Sequence, residues 1–335
     1  MSIDLRTGQH AEVLAGPVDA LPEHLRPTPG PIAILPESDP LFEAAVLAAG
    51  GVLAPLSPST RGIVWLAPHG EQEFARVLAE NPQIEWVQLP WAGVDSFANV
   101  LAQQARPRLL FTSAKGAYAQ PVAEHALALA LALLRELPKK SAAKTWVLPK
   151  TGLSIYGMNV VIIGAGGIAI ELLRLLAPFD VESTIVRRSA EPLPGARHTV
   201  TSDELASVLP AADVVIVAAA LTGGTRHLIG GPELALMKNS AYLVNIARGG
   251  LVDTMALVEA LNSGEIAGAG VDVTDPEPLP DGHPLWDARN VIVTPHSADT
   301  PEMTAPLLAR RVTRNVRAFL DDSRFVGVVD PSAGY

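Results

Sequence analysis

The stretch "IIGAGGIAIELL", Ile162–Leu173, decides the fold of this chain. It continues the β-branched run "NVVII", Asn159–Ile163, which has the composition of a buried strand. Glycines then break the run, and Ile168, Leu172, Leu175 and Leu176 recur at helical spacing. Gly164-Ala165-Gly166-Gly167-Ile168-Ala169 fits the pattern G-x-G-x-x-G/A. In that pattern Gly164 permits a tight turn and Gly166 leaves the backbone bare for the close approach of a pyrophosphate. Ala169 is small enough for helix and strand to pack closely. The helix start adds free N–H groups and about half a positive charge, which suits a phosphate. Between a strand and a helix, with another strand following, this is a dinucleotide-binding signature. Its candidate contacts are Gly164, Gly166, Gly167 and Ile168.

Outward from that unit, short apolar runs alternate with helical ones. "STIV" (Ser183–Val186), "DVVIV" (Asp213–Val217), "AYLVN" (Ala241–Asn245), "AGAGV" (Ala267–Val271) and "NVIVT" (Asn290–Thr294) bring the set to about six strands, a complete dinucleotide-binding sheet. An earlier set comprises "PIAIL" (Pro31–Leu35), "GIVWL" (Gly62–Leu66), "IEWVQL" (Ile84–Leu89) and "LLFTS" (Leu109–Ser113), with a helix predicted over Gly70–Asn81. The predicted class is α/β: two Rossmann-like or flavodoxin-like lobes with parallel sheets and a cleft between them. One lobe is predicted over 1–113 with 300–335, and the dinucleotide-binding lobe over 114–299. A long apolar helix (Pro121–Leu137) and a proline-flanked arm around Trp146 lie between the two sets. The last helix is predicted from Thr300, as cap, through Pro301 and Glu302 to about Phe319, and is expected to carry the chain back to the first lobe.

Composition excludes several classes. The 335 residues suffice for two domains, and 48% hydrophobic with 18% charged residues describes a folded globular chain. A net charge of −10 argues against a general binder of nucleic acid or membrane surface. The absence of cysteine excludes disulfides, thiolate metal sites and cysteine nucleophiles, and fits the cytoplasm. The start "MSIDLRTGQHAEVLAGP", with Asp4 and Glu12, lacks the apolar core of a signal peptide. The run Ala126–Leu134 is far shorter than a bilayer span. No histidine and acid cluster has metal-ligand spacing, so no metal is expected.

Where the second strand of a dinucleotide fold ends, an acid commonly meets the ribose hydroxyls of NAD. Here "IVRRS", Ile185–Ser189, places Arg187, Arg188 and Ser189 at that point. A guanidinium grips a phosphate through two parallel hydrogen bonds, so these residues point to the 2′-phosphate of NADP(H). The alternative is NAD, with the arginines a solvated surface pair.

Three further stretches put polar residues at the ends of predicted strands: "NIARGGLVD" with Arg248, "VDVTDPEPLP" with Asp272 and Glu277, and "VTPHSADT" with His296. Together with "WAGVD" (Trp91–Asp95), "VAEHALAL" (Val122–Leu129), "GAGGIA" and "HPLW" (His283–Trp286), in this order and spacing, the chain resembles the D-isomer-specific 2-hydroxyacid dehydrogenase family from about Trp86 to about Thr300. By that resemblance Arg248 binds the substrate carboxylate and keto oxygen, His296 is the general acid/base and Glu277 its paired carboxylate. Trp91, Ala92, Gly93 and Val94 form the substrate loop, with the N–H groups of Gly93 and Val94 on the carboxylate; Trp91 either lines the pocket or packs under the loop. Asp272 stands near the nicotinamide carboxamide, and Ile246, Ala247, His296 and Ala298 join it on the cofactor surface. His125 is read as a packing or capping histidine.

The chemistry asks for these residue types. Histidine titrates near neutrality and can give and retake a proton, while arginine stays cationic and polarises a carbonyl as charge develops. The resemblance implies NADP(H)-dependent reduction of a small 2-keto acid, with glyoxylate and hydroxypyruvate as first candidates, by a cytoplasmic homodimer. Two other readings stay open: NAD-linked oxidation of a 2-hydroxy acid such as 3-phosphoglycerate, and a dinucleotide-sensing, corepressor-like binding protein. Glu277, where similar formate dehydrogenases carry glutamine, favours a hydroxyacid enzyme. The chain departs from the family at Ala218-Ala219-Ala220-Leu221-Thr222, which replaces His-x-Pro-Leu-Thr, and at a glycine of "GAGGIA" where arginine is frequent. With Tyr335 as the last residue, no regulatory domain like that of long phosphoglycerate dehydrogenases is expected.

Overall fold

The apolar runs become two separate parallel sheets, each in its own compact unit. A computed structural model describes residues 9–67, 69–146 and 148–331. The reading at Asp4, residues 332–335 of the predicted first lobe and Val147 of the arm lie outside the described residues.

In chain order, the first unit holds β1 (Ile32–Leu35), α1 (Pro40–Ala48), β2 (Gly62–Trp65), α2 (Glu71–Glu80), β3 (Trp86–Gln88), α3 (Ala98–Gln104) and β4 (Leu110–Thr112). The second, Ala119–Asp299, holds α4 (Ala119–Leu134), α5 (Leu137–Ser141), β5 (Asn159–Ile163), α6 (Gly167–Leu176), β6 (Glu182–Arg187), β7 (His198–Thr201), α7 (Leu205–Val208), β8 (Val214–Val217), α8 (Gly231–Leu236), β9 (Tyr242–Asn245), α9 (Thr254–Ser263), β10 (Gly268–Val271) and β11 (Val291–Val293). The last helix, α10 (Pro301–Arg317), belongs to the first unit, as its position after the last strand suggests.

The first sheet runs β1-β2-β3-β4, all parallel. Its core centres on Trp65, Phe74 and Phe97, with ring centroids 4.9 Å and 5.3 Å apart. Helix α10 packs on α1 and sends polar side chains inward. Arg311, fully buried, donates to Glu12 Oε1 at 2.8 Å, to the Ser113 carbonyl at 2.5 Å and to the Lys115 carbonyl at 2.9 Å. Asn315 donates to Gln88 Oε1 at 2.7 Å and accepts from the Val326 N–H at 2.8 Å. Thr300 precedes the helix without capping its N–H groups, contrary to the sequence reading; its hydroxyl bonds Glu302 instead. The units divide after Tyr118, not after Ser113. The intervening turn is tied to the first unit, because Ala114 N–H donates to the Trp91 carbonyl and the Tyr118 hydroxyl to the Pro90 carbonyl at 2.6 Å.

The second sheet runs β11-β10-β9-β8-β5-β6-β7, all parallel, with seven strands rather than about six. The extra strand β7 is the polar edge "HTVT", which lacks an apolar run. Strand order reverses between β5 and β8, and at such a switch point the strand ends leave a crevice for ligands. Helix α6 buries Ala169, Leu172, Leu173 and Leu176; Leu175 stays partly exposed. The apolar helix α4 stops at Leu134 rather than Leu137, because Glu136 adopts a left-handed backbone with φ +53°. Among the described residues no helix is long and apolar enough to cross a membrane.

Two neighbouring glycines respond oppositely to an added methyl group. Gly164 has φ +119°, and a Cβ there would lie 2.4 Å from the Ala218 carbonyl oxygen; at Gly166 it would meet nothing within 4 Å. Gly164→Ala is expected to cost about 2 kcal/mol or more of stability, and Gly166→Ala less than about 0.5 kcal/mol. Urea midpoints of the two variants check this, and equal losses would refute it.

Candidate active site

The C-terminal edge of the second sheet collects nearly all the candidate residues. Gly164 leaves β5 with its N–H on the Val186 carbonyl of β6 at 2.8 Å and its α-carbon against the peptide that follows β8. Gly166 then starts α6 in extended conformation, with no side chain capping the helix. A bare backbone facing open space at the start of a ten-residue helix fits the pyrophosphate of a dinucleotide. Gly167 and Ile168 form the first turn. Arg187 ends β6, the neighbour of β5, and its guanidinium donates to the Glu191 carbonyl at 3.3 Å. Arg188 and Ser189 follow on the exposed surface. After β8, Thr222 N–H donates to Thr225 Oγ1 at 2.8 Å, so the residues that depart from the family pattern lead into a closed turn.

The candidate reactive groups come from three adjacent strands. Beyond β9, the Asn245 side chain accepts from Ala247 N–H at 3.2 Å and donates to the Arg248 carbonyl at 3.0 Å, which folds the turn that carries Arg248. Ile246 and Ala247 are buried there. Gly249 presses on the loop after β10: a Cβ would lie 1.9 Å from the Thr274 carbonyl oxygen. Only glycine allows that approach, which brings Arg248 into electrostatic range of Glu277 and His296.

Asp272, just past β10, is 1% exposed. Its Oδ1 accepts from the Thr294 hydroxyl at 2.6 Å and the Ser297 N–H at 2.9 Å, and its Oδ2 from the Ala298 N–H at 3.0 Å. Its own carbonyl accepts the His296 N–H at 2.8 Å. These bonds hold the turn in which His296 adopts φ +49°, a left-handed conformation unfavourable for a residue with a β-carbon. This function of Asp272 is not legible in the sequence. Nor is the place of His125, whose Nε2 lies 3.0 Å from Thr294 Oγ1 and 3.5 Å from Asp272 Oδ1. His125 therefore belongs to the network under His296, not merely to helix packing; its alignment with a buried acid from another element was the part no spacing could reveal.

His296 Nδ1 and Glu277 Oε1 are 2.6 Å apart, on half-exposed side chains. This hydrogen bond is the main force raising the imidazole above its ordinary pKa; burial and the like charge of Arg248 oppose it, while the charges of Glu277 and Asp272 add to it. The same bond holds the Glu277 carboxyl below its usual value, against burial. Asp299, three residues further on, is pushed up by burial and by the Asp272 charge. The arrangement presents an imidazole with one nitrogen fixed by a carboxylate and a guanidinium nearby, a set suited to proton transfer at a polarised oxygen. Among the described residues no group of three or more histidine and acidic side chains could hold a metal ion.

The predicted substrate loop lies on the first unit. Trp91 stands edge-on to Tyr118 at 6.4 Å and keeps 36% of its surface exposed. Ala92 is exposed and Gly93 partly so. Val94 is buried and its carbonyl accepts the Phe97 N–H, closing a short helical turn.

Residues 127–298 match the D-isomer specific 2-hydroxyacid dehydrogenase, NAD binding domain, family. A protein of Corynebacterium melassecola, described as an uncharacterized protein in the proB 3' region, is 40% identical over 265 residues, covering 77% of this chain and 85% of its own length. A glyoxylate reductase of Thermofilum pendens is 33% identical over 259 residues, covering 73% and 75%. The crystal structure of a D-isomer specific 2-hydroxyacid dehydrogenase from Xanthobacter autotrophicus Py2, in complex with NADPH and MES, superposes with a TM-score of 0.76 at 27% identity, covering 92% of this chain and 100% of that one. The family match over residues 127–298 and the relatives at 33–40% identity place the chain in the D-isomer-specific 2-hydroxyacid dehydrogenases, oxidoreductases that use a nicotinamide dinucleotide.

Proposed function

We propose that this protein is a cytoplasmic, homodimeric NADPH-dependent reductase of small 2-keto acids, of the glyoxylate and hydroxypyruvate class. The observation that carries the reading is the 2.6 Å contact between His296 and Glu277, with Arg248 in electrostatic range. Bound NADPH supplies the hydride for the keto carbon. Glu277 occupies Nδ1 of His296, which leaves Nε2 to donate the proton to the developing alkoxide and to retake it in the reverse direction. Arg248 anchors the substrate carboxylate and stabilises charge on the carbonyl oxygen with its planar fork of donors. Trp91 to Val94 supply the substrate loop, with the Gly93 and Val94 N–H groups on the carboxylate. Gly164, Gly166, Gly167, Ile168, Ile246, Ala247, Asp272 and Ala298 line the cofactor surface. The glyoxylate reductase relative supports the substrate class, and the NADPH-bound structure of the Xanthobacter protein supports the cofactor.

Arg187 and Arg188 at the end of β6 carry the cofactor preference. A charged bidentate contact contributes a few kcal/mol at most, so NADPH is expected to be favoured over NADH by about tenfold to a thousandfold in kcat/KM. Arg187→Asp is expected to abolish or reverse that ratio. Equal specificity constants in the unsubstituted enzyme would disprove the preference.

The sign of the pH effect follows from the raised pKa of His296. Reduction needs the imidazolium, so a raised pKa extends activity to higher pH. Glu277→Gln keeps a hydrogen-bonding side chain but removes the charge, and the basic limb of kcat/KM for keto-acid reduction moves to lower pH. His296→Ala is expected to lower kcat by about a hundredfold or more with NADPH affinity retained. A basic limb unmoved in Glu277→Gln would separate Glu277 from His296 functionally.

The arm after α4 exposes Trp146 at 90% and Leu148 at 67%, with Leu137, Leu153 and Tyr156 also uncovered. An apolar surface of this kind asks for a partner, and a second copy supplies one. Light scattering at low micromolar concentration should give twice the chain mass; a monomer would rule out the arm as a dimer contact.

A further inference from the structure

The chain is acidic overall, yet its last helix and the segment after it gather arginines at 310, 311, 314, 317 and 324. Residues 310, 314 and 317 have the spacing of a single face of α10, whereas Arg311 turns inward to the Ser113 and Lys115 carbonyls. Like charges at this spacing repel along a helix. The protein compensates them only in part. Glu12 pairs with Arg314 at 3.1 Å but is shared with Arg311 at 2.8 Å. Arg310 donates to the His10 carbonyl and Arg324 to the Val18 carbonyl at 3.3 Å, contacts that orient the guanidiniums without neutralising them.

These four exposed arginines line one open cavity of about 620 Å³ in the first unit, together with Val18, Thr313 and Asp322. Asp322 is the acid in the lining, and its Oδ1 already accepts the Arg324 N–H at 2.9 Å. The volume suits a small organic ligand, and among the described residues two carboxylates, Asp322 in the lining and Glu12 shared between Arg314 and Arg311, stand against four guanidiniums, so the excess positive charge favours an anion. Along the helix the guanidinium-bearing residues are spaced by about 4.5 and 6 Å of rise, so the anion must spread its charge over more than one group. Each phosphoryl group offers several oxygens to planar, bidentate forks approaching from different directions. We propose that this cavity binds a small molecule bearing two or more phosphoryl groups. The site is distinct in sequence from the Arg187–Arg188 pair and from the residues of the reaction.

Titration calorimetry of the full chain with sodium tripolyphosphate at low ionic strength tests this, in the presence and absence of NADPH. Saturable binding at one site per chain is expected with NADPH present. The double variant Arg317→Ala/Arg324→Ala is expected to weaken it by about tenfold or more, and Arg187→Ala/Arg188→Ala to leave it unchanged. Citrate, which offers two oxygens per carboxylate and carries less charge, is expected to bind more weakly. Because Arg317 and Arg324 are exposed, the melting temperature of their variant should stay near that of the parent chain. Absence of saturable binding, an unchanged affinity in the Arg317/Arg324 variant, loss of binding in the Arg187/Arg188 variant, or citrate binding as tightly would each overturn the proposal.

Discussion

The buried carboxylate of Asp272 is the constraint on which the candidate site of the second unit depends. A carboxylate withdrawn from water is costly unless its lone pairs are satisfied. Here they are met by the Thr294 hydroxyl and the Ser297 and Ala298 N–H groups, all from the chain that follows β11. The turn that sets His296 at a positive φ is therefore pinned on both sides by one side chain. A strained backbone persists only where its surroundings over-determine it. His125, reaching in from α4, extends the network to a third element. The imidazole is thus oriented by groups behind it, and its proton affinity is raised by one beside it: Asp272 fixes the turn, and the hydrogen bond to Glu277 favours the protonated ring.

Two glycines do for the backbone what these side chains do for the polar groups. Gly164 brings the β5 turn against the peptide after β8, at the place where strand order reverses. Gly249 brings the Arg248 turn against the loop of Glu277. In both cases the contact is between main chains, and any side chain would separate the strand ends that the site must join. The glycine of the dinucleotide signature and the glycine of the reactive turn are thus the same device, used at opposite sides of the central strands.

The first unit obeys a different rule. Its four-stranded sheet is closed by the return of α10, and the connection is polar: Arg311 and Asn315 tie the helix to the ends of β3 and β4 and to the terminal segment. Because these donors and acceptors have one geometric solution, they fix how α10 lies on a sheet whose apolar faces alone would tolerate several. The turn they hold also receives the Trp91 carbonyl, so the packing of α10 reaches the neighbourhood of the predicted substrate loop.

Local chemistry wrote much of this into the sequence. β-branched runs can only be buried strands in such a setting, a G-x-G-x-x-A turn between strand and helix has few other uses, and Arg248, Glu277 and His296, picked out at strand ends, do come together in space. The polar edge strand β7 was illegible because it has no apolar run, and the end of α4 because its left-handed residue is a glutamate rather than a glycine. What the tertiary structure alone decided is pairing between distant residues. That His125 meets Asp272, that Gly249 touches Thr274, and that α10 turns one arginine inward while leaving three on an open face all depend on which surfaces meet after the sheets form. Periodicity specifies the face a residue occupies; only the packed fold specifies what that face encounters.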